Sequence, residues 1–437
     1  MDNEYEEKTK NKKRNKEYRK LKKTIVIESG KNVKRRMQKI SKQESNLIFH
    51  QNIADKLSKI LSELRGGATK FGQFLAIYQA ALPEEYSNIY SKALSNISDN
   101  IPPISQRVIK RVLEKNLGFD FDSKIINFDY NPIAAASIGQ VHKAVWHDGT
   151  LVAVKIQYPG IKEAIVSDYE NFLKIGRLLN ILLPNLEYKN LLLELKESIL
   201  QELDYLKEFE NQKIFYDYYS KNDENIIVPR PIAVYNNILI TEYIEGEKFI
   251  NFIENGKQRD KNKVALTLAK LHITSPENLK ILHSDPNLGN FLVSKDKKLV
   301  LLDFGSCKDL PEGMPKPLIE MINVAMKKDS KKLLDLFITN DFIDYNVVDD
   351  KLLFDFLFPL IAPLSSNYFN YNLDWLRREN NRIGDFKNPV SKIGLKLRLP
   401  VEYLLIHRVT MGCTVIYSML NASGNFKKIV TDTYFIK

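Results

Sequence analysis

Three polar residues in one stretch, Ile281 to Ser306 (ILHSDPNLGNFLVSKDKKLVLLDFGS), have the types and spacing to hold a metal-bound polyphosphate. Asp285 and Asn290 are five positions apart, and Asp303 opens an Asp-Phe-Gly triplet. Phosphoryl transfer needs the charge on the phosphates neutralised, and an Asp with an Asn across from it supplies the hard oxygens that Mg²⁺ takes as ligands. Asn290 and Asp303 fit that task. A second Asp near the γ-phosphate, here Asp285, orients or deprotonates an attacking hydroxyl or water. The apolar runs Phe291 to Val293 and Leu299 to Leu302, separated by Ser-Lys-Asp-Lys-Lys, predict two short strands and a polar turn that bring Asn290 and Asp303 to the same end. Asp-Phe-Gly and Asp-Pro each arise by chance, so order and spacing carry the signal.

Other elements must place a polyphosphate against these groups. Val141 to Trp146 and Leu151 to Gln157 predict two strands joined by a His147-Asp148-Gly149 turn. In a kinase-like arrangement the preceding loop covers the phosphates, and Lys155 of Val-Ala-Val-Lys contacts the α- and β-phosphates. That loop is Ala134-Ala135-Ala136-Ser137 where an ordinary kinase has glycines. Alanine disfavours positive φ, so a less mobile lid that presents phosphates differently is expected. Ile238 to Tyr243 predicts a strand, and the backbone of Glu242, Tyr243 and Ile244 is the natural adenine-contacting edge. Helices are predicted near Ala164 to Leu182 and Leu191 to Phe215. The second places Asp204 and Glu208 four apart on one face, an acidic patch able to meet Lys155 and a second cation. Lys263 to Leu271 predicts a helix feeding the catalytic loop, and the chain beyond Leu310 reads as mostly helical. No Ala-Pro-Glu element follows Asp303, and Ser284 stands where regulated protein kinases carry an arginine.

Towards the N-terminus, Ile53, Leu57, Ile60, Leu61 and Leu64 recur at helical spacing from Asn46 onward, and the pattern resumes after Gly66-Gly67 with Phe71, Leu75 and Tyr78. Lys70 and Gln73 project from one face of this second helix, a pairing that on its own is usually solvated. Pro83 and Pro102-Pro103 mark an exit and a linker, and Arg107 to Leu117 predicts a short helix closed by Gly118. The expected organisation is a basic, disordered extension over 1–45, a helical extension over 46–120, an N-lobe with a helical insert over 121–245 and a helical C-lobe over 246–437.

The chain has 437 residues, a net charge of +11 and 2 cysteines. Its cations crowd Lys8 to Lys42, which suits a solvated extension or contact with an anionic membrane surface. The segment lacks interleaved aromatics and glycine-containing motifs, so no nucleic-acid partner is expected. Cys307 and Cys413 have no metal-ligand spacing and point to a reducing compartment. No apolar run reaches transmembrane length, and Glu4, Glu6 and Glu7 argue against a transit peptide.

Taken together, Lys70 to Gln73 (K-x-G-Q), the alanine-rich loop Ala134 to Ser137, Glu202 to Asp204 (E-x-D), and Asp285, Asn290 and Asp303 resemble the UbiB family of atypical, protein-kinase-like proteins. The resemblance covers roughly everything after Asn46. One departure is local: the family's His-x-Asp-Pro-His-Pro-Gly-Asn reads His283-Ser284-Asp285-Pro286-Asn287-Leu288-Gly289-Asn290 here. The resemblance implies an α+β, bilobal atypical kinase fold with an N-terminal helix across the cleft. It further implies an enzyme binding ATP and Mg²⁺, supporting isoprenoid-quinone biosynthesis or lipid handling by ATP hydrolysis or small-molecule phosphorylation. Lys155 would pair with Glu208, and Lys70 and Gln73 would reach Glu202 and Asp204 as a gate. The expected location is cytoplasmic, peripheral at the inner membrane face, with the mitochondrial matrix as alternative. A nucleotide-dependent pseudokinase scaffold is the non-enzymatic alternative, and a protein Ser/Thr kinase the weaker enzymatic one.

Overall fold

A computed structural model describes residues 42–63, 104–167 without 136–137, 200–343, and 349–435 without 385–387 and 395, together with a few single residues elsewhere. The chain divides into two compact units, Met1–Lys207 with Ile232–Tyr243, and Glu208–Pro231 with Ile244–Lys437. The secondary structure is the mixed α+β expected from the sequence.

The first unit is built on an antiparallel sheet in the order β1 (Ile125–Ile126), β3 (Gly139–Trp146), β4 (Leu151–Gln157), β7 (Ile238–Glu242), β6 (Pro231–Tyr235), with β2 (Ala134–Ala135) beside β3. Alternation along β4 turns Val152, Val154 and Ile156 inward, where they pack with Ile109, Leu113 and Leu117 from one face of a helix, Gln106–Leu117. That helix ends as its sequence predicts, at Gly118 with φ +98°. The β3–β4 turn uses Gly149 at φ +88°, and the Asp148 side chain accepts from Thr150 N at 2.9 Å. The register sets Lys155 opposite Val141 on one side and Leu239 on the other.

Three expectations need correction here. Ala134 and Ala135 are not loop residues; they pair with Val141 and Gln140 as an edge strand. The single helix expected over Leu191 to Phe215 is broken at Leu203-Asp204, and a new helix, α1 (Tyr205–Asn222), runs seven residues past Phe215. Asp204 therefore does not share a helix face with Glu208: it is the N-cap, accepting from Lys207 N at 3.0 Å, while Glu208 is buried. Within the basic segment expected to be a solvated extension, Glu28 is buried and accepts from Asn52 Nδ2 (3.0 Å) and Lys31 Nζ (2.7 Å). Asn52 lies on the helix Lys42–Glu63. The K-x-G-Q residues Lys70 and Gln73, and Ala136 and Ser137, lie outside the described residues.

The second unit holds the larger core. Its sheet runs β5 (Ile226–Ile227), β11 (Leu299–Leu301), β10 (Phe291–Val293), β8 (Glu247–Lys248), and β9 (Ile281–His283) pairs with β12 (Cys307–Asp309). Helix α2 (Gln258–Asn278) leads into β9 and buries Val264, Leu268 and Leu271. Helix α3 (Val401–Met419) buries Ile406, Val409, Cys413 and Ile416 in the same core.

Candidate active site

In the second unit, the β10–β11 hairpin pairs Phe291 with Leu301, and Leu302 N donates to Asn290 O at 2.9 Å. The ladder thus continues one step beyond the strands, and Asn290 and Asp303 emerge at the same end, as their spacing predicts. Before the hairpin, the loop from Ser284 to Asn290 is shaped by its own side chains. Asn287 N donates to Asp285 O (2.8 Å), and the Asn287 carboxamide oxygen accepts from Gly289 N (2.9 Å), capping the short 3₁₀ turn Leu288–Asn290. Asn287 therefore does a capping job at the position where the family pattern has histidine.

Asn290 Nδ2 donates to Asp285 Oδ2 (2.9 Å) and to Asp285 O (3.2 Å). Both partners only accept, so the amide orientation is forced and Asn290 Oδ1 is turned away from Asp285. The other Asp285 oxygen, Oδ1, accepts from Arg408 Nη2 at 2.7 Å, an ion pair with side chains 13% and 28% exposed respectively. Arg408 lies on α3, and one turn further along the same helix Gly412 meets the loop. A Cβ there would sit 2.4 Å from Pro286 Cγ, so only glycine permits this approach. The helix reaches the Asp285 loop through a charge pair and a close backbone contact.

The Asp-Phe-Gly backbone is held at successive points. His283 Nε2–H donates to Asp303 O (2.8 Å), Asn211 Nδ2 to Phe304 O (3.1 Å), and Ser284 N to Ser306 O (2.9 Å). Ser284 Oγ also lies 2.9 Å from Ser306 Oγ, which is how the residue standing in for the kinase arginine is used. Phe304 is fully buried against Phe215, with ring centroids 5.2 Å apart. Gly305 N donates to Asp303 Oδ1 at 3.0 Å, orienting the carboxylate.

Two buried histidines, His283 and His272, support this clamp, their ring centroids 5.8 Å apart. His272 Nδ1–H donates to Leu268 O at 3.0 Å. Burial lowers the pKa of both, that of His272 to about 3, the neighbouring imidazole adding to the effect. A base whose folded pKa lies below its unfolded value of 6.5 binds fewer protons folded than unfolded between the two. Stability should therefore be full above pH 6.5 and fall as the pH drops, with His272 alone costing about 2 kcal/mol by pH 5. Denaturant unfolding at pH 7.5 and 5 checks this, and equal stability at the two values contradicts it.

In the first unit, Lys155 Nζ lies 5.3 Å from the centroid of the buried Tyr205 ring, a cation–π contact at the first residue of α1. Gln157, two residues along β4, donates from Nε2 to Leu203 O at 2.7 Å, inside the Glu202-Leu203-Asp204 motif. The structure thus joins Lys155 to that motif through β4. At the other end of β4, Tyr243 N donates to Leu151 O (2.9 Å), which removes that amide from the adenine-contacting edge proposed for Glu242 to Ile244. Lys143 Nζ stands 4.6 Å from the Tyr243 ring centroid.

Arg408, Asn211 and Tyr205 escape the sequence reading. The one available signal was for Arg408, the sole arginine or lysine in VEYLLIHRVTMGCTVIYSM, where an otherwise apolar helix implies a partner for the charge.

The sequence model of the ABC1 atypical kinase-like domain matches residues 96–337. The chain belongs to this family. Several relatives carry the atypical-kinase names of the UbiB group. It is 28% identical over 407 residues to the mitochondrial atypical kinase COQ8 of Saccharomyces cerevisiae, covering 90% of this chain and 78% of that one. To the probable serine/threonine-protein kinase abkA of Dictyostelium discoideum it is 29% identical over 417 residues, covering 89% and 73%. Among solved structures, the Mycobacterium tuberculosis protein of the Rv3197–erythromycin complex aligns with TM-score 0.68 at 30% identity, covering 90% of this chain and 98% of that one. The atypical kinase-like fold of the ABC1 family agrees with the bilobal kinase-like reading of the sequence.

Proposed function

We propose that this ABC1-family chain is an ATP- and Mg²⁺-binding atypical kinase or ATPase of the UbiB type, supporting isoprenoid-quinone biosynthesis or lipid handling. The observation that carries the reading is the set Asp285, Asn290 and Asp303 on a backbone clamped by His283, Asn211 and Ser284. The donors fit magnesium. Asn290 turns a carboxamide oxygen away from its partner, Asp303 adds a carboxylate, and no group of three or more His, Cys, Asp or Glu among the described residues could hold a metal unaided. A site of two oxygen-bearing side chains suits an ion that keeps waters and phosphate oxygens as its other ligands.

Bound there, Mg²⁺ would neutralise charge on the β- and γ-phosphates. Asp285, held by Arg408 and Asn290, would orient the attacking water or hydroxyl. Lys155 would contact the α- and β-phosphates. Lys70 and Gln73, with Glu202 and Asp204, would gate access and exclude a protein substrate. Several relatives bear mitochondrial names and one a chloroplastic name, and no helix among the described residues is long and apolar enough to cross a membrane. The cations of Lys8 to Lys42 favour peripheral attachment to an anionic surface, in the mitochondrial matrix or at the inner face of a cytoplasmic membrane.

A second reading, a nucleotide-dependent scaffold that turns over slowly or not at all, is favoured by one feature: both Asp285 oxygens are already hydrogen-bonded. The purified 437-residue chain with MgATP, with and without anionic vesicles, separates the two. The enzymatic reading expects phosphate release that rises with vesicles and negligible labelling of added proteins. Nucleotide binding without release would leave the scaffold, and absence of binding would overturn both.

A further inference from the structure

Gln157 is 4% exposed and sits where three segments of the first unit meet. Its main-chain N–H donates to Asn237 O (2.9 Å), and its Cα lies opposite Gly139, the first residue of β3. Gly139 itself admits no side chain, since a Cβ would stand 2.4 Å from Ile156 O. The Gln157 carboxamide has both ends engaged: Nε2 donates to Leu203 O (2.7 Å), and Oε1 accepts from Asn237 Nδ2 (3.0 Å). A carbonyl only accepts, so Nε2 must face Leu203, and Asn237 then holds the amide in that orientation.

Side chains two apart on a strand share a face. Lys155 and Gln157 are such a pair, and they meet successive parts of the same turn: Gln157 holds Leu203, and the Lys155 ammonium lies over the Tyr205 ring. Between them Asp204 caps α1 through Lys207 N. The start of α1 is thus registered against the β4 strand by one buried amide, across 46 residues of chain.

We propose that Gln157 is a positioning residue for the nucleotide site, fixing the Glu202–Tyr205 turn against the strand that carries Lys155. It deepens the nucleotide-binding reading above and rests on it. Losing the Leu203 bond lets the turn drift from Lys155, so the nucleotide site loses its preorganisation. Losing only the Asn237 bond leaves the turn attached.

The test compares Gln157→Met, which keeps volume and removes both side-chain bonds, with Asn237→Ala, which spares the bond to Leu203. Three quantities are read on the 437-residue chain: apo melting temperature, MgATP affinity, and amide exchange over residues 203–207. Gln157→Met should weaken MgATP binding roughly tenfold, the factor that a single buried hydrogen bond is worth, and speed exchange at 203–207. Asn237→Ala should lower the melting temperature yet bind MgATP within about twofold of wild type. A structural role alone would make affinity follow the melting temperature in both variants, and that result overturns the proposal. So does unchanged exchange at 203–207 in Gln157→Met. Wild-type protein that fails to bind MgATP would defeat the functional reading instead, and the exchange comparison would then decide the positioning of the turn by itself.

Discussion

Asp303→Asn removes the stabilisation by MgATP and lowers phosphate release by at least about 100-fold, while the apo protein melts near the wild-type temperature. The asymmetry follows from what the carboxylate does. Asp303 Oδ1 accepts from Gly305 N, and an asparagine carbonyl oxygen can take over that bond. The clamp on the triplet survives too, because His283 and Asn211 hold main-chain oxygens of Asp303 and Phe304. These bonds keep their partners, and the negative charge offered to a cation is lost. A thermal-shift titration with MgATP and a phosphate-release assay measure the two effects, and wild-type stabilisation by MgATP in the variant would sink the ligand assignment.

Arg408→Ala is expected to lower turnover by about 10 to 100-fold with MgATP binding reduced far less. Arg408 holds Oδ1 of Asp285 at 2.7 Å in a partly buried pair, while the oxygens proposed to face a metal belong to Asn290 and Asp303. Without the guanidinium, the carboxylate keeps its bond to Asn290 and loses the partner that aims it. Arg408→Lys should recover part of the rate, since an ammonium restores the charge without the planar fork. Steady-state kinetics on the two variants separate rate from binding, and an unchanged rate in Arg408→Ala would remove Asp285–Arg408 from the mechanism.

Local rules made much of the architecture legible. The β3–β4 hairpin, the helix closed at Gly118, and the juxtaposition of Asn290 with Asp303 all follow from periodicity and turn chemistry over short spans. The same rules failed at Leu203-Asp204, where a helical pattern ran on in sequence but the chain breaks. Asp204 competes for the backbone as a cap, and Gln157, 46 residues away, takes the Leu203 carbonyl out of helical pairing. Ala134-Ala135 reads as loop by comparison with a glycine loop, yet alanine can pair as an edge strand and does so with β3. The partner of Arg408 was not legible because it reaches Asp285 across 123 positions, and no spacing rule connects a charge in a largely apolar helix to a distant loop. Asn211 is in the same class, meeting Phe304 across 93 positions.

The central claim is that Asn290 and Asp303 hold a metal nucleotide beside Asp285. Electron paramagnetic resonance of Mn²⁺ in place of Mg²⁺ tests it most directly, because the free ion's signal disappears on binding. The account predicts weak Mn²⁺ uptake by the protein alone, strong uptake when ATP is added beyond what ATP itself sequesters, and loss of that increment in both Asp303→Asn and Asn290→Ala. An increment of wild-type size in these variants, or none in the wild-type protein, would contradict it.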